Sequence, residues 1–245
     1  MREVLWSVFF VGLVLVLTAS VATAEKQFSK EPIETIVPTP FSLAPSGAQY
    51  DCQVGNLNPA AWAIGNFIAP PEEYKLVFDP LATCTACPFG FQVQEVHVHL
   101  QTDAACTIIM GVDVEVVTYD PSGCTTPGPE ICNSGLYQVD LPSAGGWLIG
   151  IPIDCHCITI LQKCLLSLYL ESTTCSPVPD LVTDAGPPLL CTNWNNWGVG
   201  WFDLVAQYPG GAWPGQLKFW ADAVCCSPPT PVEAETWGKV KCLFR

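Results

Sequence analysis

The chain has 245 residues and a formal net charge of −14, yet only 13% of its residues are charged and 49% are hydrophobic. Only Lys75 and Lys163 are basic between Glu31 and Leu217, so the surface repels phosphate groups and nucleic acid is not expected as a partner. Low charge combined with a high apolar content also argues against a wholly disordered chain.

The N-terminal segment, residues 1–24, has the pattern of a secretory signal peptide. Arg2 precedes an apolar run at 4–17, and small residues follow as far as Ala24. The run is short for a membrane span, which needs about 20 residues. An uncleaved anchor is the alternative interpretation. We therefore expect a secreted mature chain without a membrane span, located outside the cell or on the surface of a bacterial envelope.

Fourteen cysteines follow this segment, and in a secreted chain they predict disulfide bonds. Each bond stabilises the fold by about 2–4 kcal/mol, mainly by constraining the unfolded chain. The even count allows all fourteen to pair, and a free or intermolecular thiol at Cys242 is the alternative. The cysteines predicted to form disulfides are Cys52, Cys84, Cys87, Cys106, Cys124, Cys132, Cys155, Cys157, Cys164, Cys175, Cys191, Cys225 and Cys226.

The spacing of neighbouring cysteines gives further expectations. Those at 155–157 and 225–226 are expected to bond to separate, distant partners, because very small rings strain a disulfide. The Pro- and Gly-containing segment 124–132 is expected to form a locally closed loop. The Cys-x-x-Cys-Pro sequence at 84–88 has redox exchange or zinc binding as alternatives, but an oxidising compartment favours disulfides there.

The central part of the chain, residues 48–226, predicts many short strands. In the segment 91–102, apolar and polar residues alternate with the period of a half-buried strand. Further short segments rich in β-branched and aromatic residues follow, separated by Gly, Pro, Asn or Asp. The predicted fold is therefore an all-β, disulfide-rich antiparallel β-sandwich of jelly-roll type.

Two segments lie outside this predicted sandwich. Residues 25–47 are polar and contain prolines, which indicates a flexible or extended arm. Residues 227–245 combine a Pro-rich linker with a short basic and aromatic end. We interpret this end either as a sorting signal or as a helix or strand that docks on the domain.

Four segments combine cysteines with aromatic residues and strand patterns: CPFGFQVQEVHVHL, IPIDCHC, CTNWNNWGVGWFDL and ADAVCCSPPTPVEAETWGKVKCLFR. Together they resemble a group of uncharacterised secreted bacterial proteins, hypothetical proteins without a known activity. That group has a Cys-rich β-sandwich, a Cys-Cys-x-Pro boundary and a terminal tag of the form Thr-Trp-Gly-x-Val/Ile-Lys-x-Leu-Tyr/Phe-Arg. The resemblance extends from Trp62 to the end, and Cys242 inside the tag departs from the pattern. It implies a fold and a location, but no mechanism.

Glu95, His97 and His99 project from one face of a predicted strand, where they are candidate ligands of a divalent metal. The pattern is similar to the first metal motif of cupins, and Gly90 precedes it as in that motif. However, Asp103 stands where a glutamate is expected, and no later histidine supplies the remaining ligand. A structural or solvent-facing histidine pair is therefore the alternative.

Three tryptophans occur within eight residues: Trp194, Trp197 and Trp201. Such rings can form a flat platform on which sugars stack, while Asn195 and Asp203 hydrogen-bond the sugar hydroxyls. The alternative is that the rings are buried and hold the loop against the sandwich. These five residues are the predicted ligand-binding set.

Signatures of the common catalytic sites are absent from the sequence, including the nucleophile elbow, the zinc-protease motif and phosphate-binding glycine loops. We therefore predict a non-enzymatic binding or structural module whose partner is a glycan or a cell-envelope component, with self-association as a further possibility. No cofactor is expected, although scattered carboxylates leave Ca²⁺ or a divalent transition metal as options. The alternative function is a metal-dependent enzyme centred on His97 and His99.

Overall fold

The computed structural model describes residues 26–33, 38–43 and 49–228. The predicted signal peptide, the C-terminal tag and Cys242 lie outside these residues. The strands are β1 Ser29–Pro32, β2 Thr39–Ser42, β3 Cys52–Gly55, β4 Ala60–Gly65, β5 Glu72–Phe78, β6 Phe91–Thr102, β7 Cys106–Tyr119, β8 Thr125–Asn133, β9 Tyr137–Leu141, β10 Gly145–Pro152, β11 Cys164–Thr173, β12 Asp180–Asp184, β13 Asn193–Asn196, β14 Trp201–Asp203 and β15 Phe219–Cys225.

Helical structure is scarce among these residues. A 3-10 turn covers Pro80–Ala82, and the single-turn helix α1 covers Leu204–Gln207. Within the described part of the chain, no helix combines the length and the apolar character that crossing a membrane requires.

The strands form two sheets. Sheet A has the order β1-β4-β12-β6-β10-β2, and β15 pairs with β6 and with β3. Sheet B has the order β14-β13-β5-β11-β7-β8, and β9 pairs with β7. All described pairings are antiparallel except that of β2 with β10. The predicted all-β, antiparallel and disulfide-rich fold is confirmed.

The core is built from the inward-facing residues of both sheets. Val98 and Leu100 of β6 and Leu166 and Leu168 of β11 are fully buried members of this one core. Because side chains of a strand alternate between its two faces, these residues direct their neighbours in sequence to the outer faces. Full burial of each such side chain stabilises the fold by about 1.5–3 kcal/mol.

Two pieces of the predicted flexible arm are edge strands of sheet A. The strand β1 pairs antiparallel with β4, and β2 pairs parallel with β10. Both segments take the extended one of the two conformations predicted for this arm. The polar sequence did not predict these strands, because an edge strand with largely exposed side chains needs no alternation of apolar and polar residues.

Six disulfides connect the described residues, and neighbouring cysteines bond to separate partners as predicted. The six pairs are Cys52–Cys84, Cys87–Cys225, Cys106–Cys175, Cys124–Cys191, Cys132–Cys155 and Cys157–Cys226. The Cys-x-x-Cys pair is therefore divided between two bonds and forms neither a redox pair nor a zinc site. The predicted loop closed by Cys124 and Cys132 was wrong, because strand β8 between them is extended at about 3.3 Å per residue.

Cys164 is the exception among the predicted disulfide cysteines. It is a free thiol at the start of β11 and is fully buried. Its sulfur lies 3.5 Å from the carbonyl oxygen of Gln162, and its strand neighbours are Phe78 and Val116. Burial raises the pKa of the Cys164 thiol to about 12, so the reactive thiolate is scarce at neutral pH. The prediction of a disulfide at Cys164 was wrong.

We expect iodoacetamide to leave Cys164 unmodified in the folded, non-reduced protein and to modify it after unfolding in guanidinium chloride. The reason is that the thiol is both inaccessible and protonated in the fold. Mass spectrometry of the peptide containing Cys164 measures this, and a Cys164→Ala variant identifies the label. Modification of the folded protein, or recovery of Cys164 in a disulfide-linked peptide, would contradict the expectation.

Candidate ligand-binding face

The outer face of sheet B carries a row of polar side chains across three strands. Lys75 of β5 lies opposite Ser167 of β11, which lies opposite Asp113 of β7. Lys75 and Ser167 are nearly or fully buried although they face away from the core. Charged groups in such a location require partners, because a buried charge without one is strongly destabilising.

Lys75 is the centre of this row. Its Nζ lies 2.8 Å from Oε1 of Glu73 and forms a second ion pair with Glu115. The same Nζ lies 4.3 Å from the centroid of the Trp201 ring, a cation–π contact. These contacts satisfy the ammonium group and place one aromatic ring beside the carboxylates.

Asp113 and Glu115 each have one buried carboxylate oxygen, Oδ1 and Oε2 respectively, to which none of the described residues donates a hydrogen bond. Asp113 is 9% exposed. Burial raises the pKa of Asp113 to about 7; the charge of Lys75 and the hydroxyl of Ser167 oppose this shift, and the charges of Glu73 and Glu115 add to it. A buried acceptor without a donor costs about 1–3 kcal/mol, so these oxygens oppose folding.

Asp113 lines a pocket of about 490 Å³ on this face. Four carboxylate residues contribute to the lining, Asp113 itself with Glu73, Glu130 and Glu171. Tyr169 also lines it, and its hydroxyl donates to Oε2 of Glu171 over 2.5 Å, which orients the ring. The volume lies within the usual range of about 300–1,000 Å³ for small-molecule sites. The pocket is therefore rich in acceptors and suited to a ligand that supplies donors.

The predicted tryptophan platform is divided between the two faces of the β13–β14 hairpin. Trp194 is 7% exposed and packs with Val117 and Leu165 on the outer face of sheet B. Trp201 packs against this cluster and contacts Lys75. Trp194 therefore belongs to a small secondary core, while Trp201 covers the buried ion pairs.

Trp197 lies on the other side of the hairpin. Its ring stacks on Phe202, with centroids 4.3 Å apart, and strand alternation places Phe202 opposite to its neighbour Trp201. Asn195 is fully buried and donates to a backbone carbonyl of β5. Asp203 caps helix α1, because its Oδ1 accepts from the backbone N–H of Val205. The structure thus does not bring the five predicted ligand-binding residues together.

The predicted metal residues are also rearranged. Glu95 and His97 of β6 lie beside Asp222 of β15, which sequence reasoning had not selected. His99 is outside this group and only 3% exposed. Burial, together with the charge of Lys218, lowers the pKa of His99 to about 4. Asp222 alternates with apolar neighbours in its strand, but only the pairing of β15 with β6 reveals its position.

The residues that sequence reasoning missed on sheet B are Lys75, Asp113, Glu115 and Tyr169. Their alternation with apolar residues in the strands was visible in the sequence. Asp113 and Glu115 are buried, as is Lys75 two strands away, and this burial separates a charge cluster from solvated surface.

An Asp113→Asn variant is expected to be more stable than the wild type at about pH 8, less so at about pH 5, and similar below about pH 4. The pKa of Asp113 in the fold, about 7, lies above its ordinary value of 3.8. The stability due to its protonated form is therefore complete below about pH 4 and is lost as the pH rises through about 7. Each kcal/mol gained raises the Tm by about 2–4 °C, which calorimetry measures.

The matched control for this experiment is Asp154→Asn, since Asp154 is exposed and the amide keeps its role as an acceptor for Gln92. This control should show the same pH dependence as the wild type. Equal stabilisation by both variants, or no gain for Asp113→Asn at the higher pH, would contradict the burial argument.

A Trp194→Ala variant is expected to lower the free energy of unfolding by about 3–5 kcal/mol, as large-to-small changes of buried aromatic residues do. Trp197→Ala is expected to cost clearly less, because this ring is only half-buried, stacked on Phe202 and 5.2 Å from Nζ of Lys26. Chemical denaturation of both variants measures the difference. A larger loss for Trp197→Ala would reverse the assignment of the two rings.

Comparison with known proteins identifies a protein family that matches this chain. A model described as "Domain of unknown function (DUF7451)" matches residues 52–223. No curated protein matches the chain. Similar solved structures are the cysteine protease and lectin-like domains of Cwp84, a surface layer associated protein of Clostridium difficile, and clostridial cysteine protease Cwp84 after propeptide cleavage.

The similarity to both structures is weak. The first structure has a TM-score of 0.44, is 12% identical in sequence and covers 74% of this chain. The second has a TM-score of 0.38, is 12% identical and covers 65% of this chain. The chain spans 37% of each of them. Because the family model covers most of the chain, from 52 to 223, the chain belongs to the family described as Domain of unknown function (DUF7451).

Proposed function

We propose that the chain is an extracellular binding module and that the outer face of sheet B binds carbohydrate. The ligand occupies the pocket lined by Asp113, Glu73, Glu130, Glu171 and Tyr169. This proposal keeps the predicted partner class and moves the binding residues from the tryptophan loop to the neighbouring strands.

The observation that carries the proposal is the acceptor-rich lining of this pocket, in which four carboxylate residues lie beside the Tyr169 ring. Sugar hydroxyls are neutral donors, so they hydrogen-bond carboxylate acceptors without bringing a charge of their own.

The remaining lining supports a polyhydroxylated ligand. Carboxylates accept hydrogen bonds from several hydroxyls at once, and the Tyr169 ring offers an apolar surface to C–H groups. Phosphorylated and other anionic ligands are disfavoured, because four carboxylate residues line the same pocket.

The disulfide network supports a place outside the cytoplasm. Six disulfides in one domain are typical of proteins that fold in an oxidising compartment and rare in cytosolic ones. An envelope or extracellular glycan is therefore the ligand class that we propose.

We expect a glycan array to identify at least one bound neutral glycan. Tyr169→Ala and Asp113→Ala should each weaken binding by about tenfold or more, as the loss of one good contact of about 1.4 kcal/mol does. Isothermal titration with the glycan found on the array measures the change. Trp197→Ala is the matched control, because its ring lies on the other side of the hairpin.

Absence of binding to every neutral glycan on the array would refute the proposal. Binding that is lost in Trp197→Ala but kept in Tyr169→Ala would return the site to the tryptophan loop.

A further inference from the structure

A second group of ligand-type side chains lies on the outer face of sheet A. Glu95 of β6 lies directly opposite Asp222 of β15, and His97 lies opposite Trp220. Residues opposite each other in an antiparallel pair share a face, so Glu95, His97 and Asp222 project to the same side. This group is separate from the proposed carbohydrate pocket, which belongs to sheet B.

The donor atoms of the three residues converge. His97 Nε2 lies 2.8 Å from Asp222 Oδ2 and 3.9 Å from Glu95 Oε2. Ligands around a tetrahedral Zn²⁺ are about 3.4 Å apart, given Zn–N and Zn–O bonds of about 2.0–2.2 Å. The three donors therefore need only small shifts to bind one ion.

The two carboxylates are already oriented by other residues. Tyr50 donates its hydroxyl to Glu95 Oε2 over 2.9 Å, and Ser42 donates to Glu95 Oε1 over 2.5 Å. Gln53 donates its side-chain amide to Asp222 Oδ1 over 2.7 Å. A carboxylate oxygen has two acceptor sites, so these hydrogen bonds persist when an ion takes the other site. Such outer partners are what orients the ligands in protein metal sites.

The imidazole is oriented as well. The ring of His97 stacks on the indole of Trp220, with centroids 5.1 Å apart and an interplanar angle of 18°. Its side chain is 13% exposed, which leaves a path for an ion and room for a water ligand. His99, two residues along the strand, is buried and does not contribute.

The charge balance favours a cation at this place. Glu95 and Asp222 are 4% and 7% exposed and lie side by side, an arrangement that is destabilising for two like charges. Within the described residues, neither forms an ion pair with a lysine or an arginine; His97 is their common partner. A divalent ion neutralises both carboxylates at once.

We propose that Glu95, His97 and Asp222 bind one Zn²⁺ ion. One nitrogen and two carboxylate ligands with an open position match zinc, whereas Ca²⁺ requires about six to eight oxygen ligands. This assignment replaces His99 of the sequence-based metal prediction by Asp222.

Zinc titration of chelator-treated full chain tests the proposal. We expect one Zn²⁺ to bind per chain, with an affinity at least about tenfold above that for Ca²⁺. His97→Gln and Asp222→Asn should each weaken binding by about 100-fold. His99→Gln and His156→Gln are the matched controls and should bind Zn²⁺ as the wild type does, since His156 is exposed and away from the group.

X-ray absorption spectroscopy of the zinc-loaded wild type provides a second measurement that does not depend on the folding of any variant. The expected shell contains one imidazole nitrogen with oxygen ligands and no sulfur. Absence of stoichiometric Zn²⁺ binding, a shell with sulfur or two imidazoles, or full binding in folded Asp222→Asn would each overturn the proposal. The carbohydrate proposal is tested separately, because its residues lie on sheet B.

Discussion

Covalent crosslinks between distant segments are the constraint on which this structure depends. Cys87–Cys225 connects the segment before β6 to the last strand, across 138 residues, and Cys132–Cys155 connects β8 of sheet B to the segment after β10 of sheet A. Such bonds stabilise the fold chiefly by reducing the conformational entropy of the unfolded chain. The sandwich therefore tolerates features on its outer faces that oppose folding.

Those features are buried charges. On sheet B, Lys75 is buried with Glu115 and Asp113 and pairs with the half-buried Glu73. Replacing buried ion pairs by apolar residues is often neutral or stabilising, so their presence here contributes little to stability. The disulfides stabilise the fold enough for it to keep these buried charges. Of these groups, Glu73 and Asp113 line the pocket where we propose that a ligand binds.

The two outer faces offer different chemistry from the same architecture. Sheet B presents an open pocket in which the acceptors outnumber the donors. Sheet A presents a compact group at Glu95, His97 and Asp222, in which every carboxylate is already oriented by a hydrogen bond. The first suits an organic ligand with several donors, and the second suits a single ion. Trp194, Trp197 and Trp201 line neither the sheet B pocket nor the group on sheet A.

The sequence by itself determined the fold class and the disulfide chemistry of this protein. Strand alternation is a local property, visible in 91–102, and fourteen cysteines that follow an apolar N-terminal segment predict an oxidised chain without any knowledge of contacts. Only the tertiary structure decided which cysteines form disulfides, why Cys164 remains a free thiol and which side chains contact each other. Asp222 reaches His97 across 125 residues, and strand register between such distant segments depends on long-range pairing that local pattern does not encode. For the same reason, Asp113 and Lys75 became a buried site only when strand β11 brought their strands together.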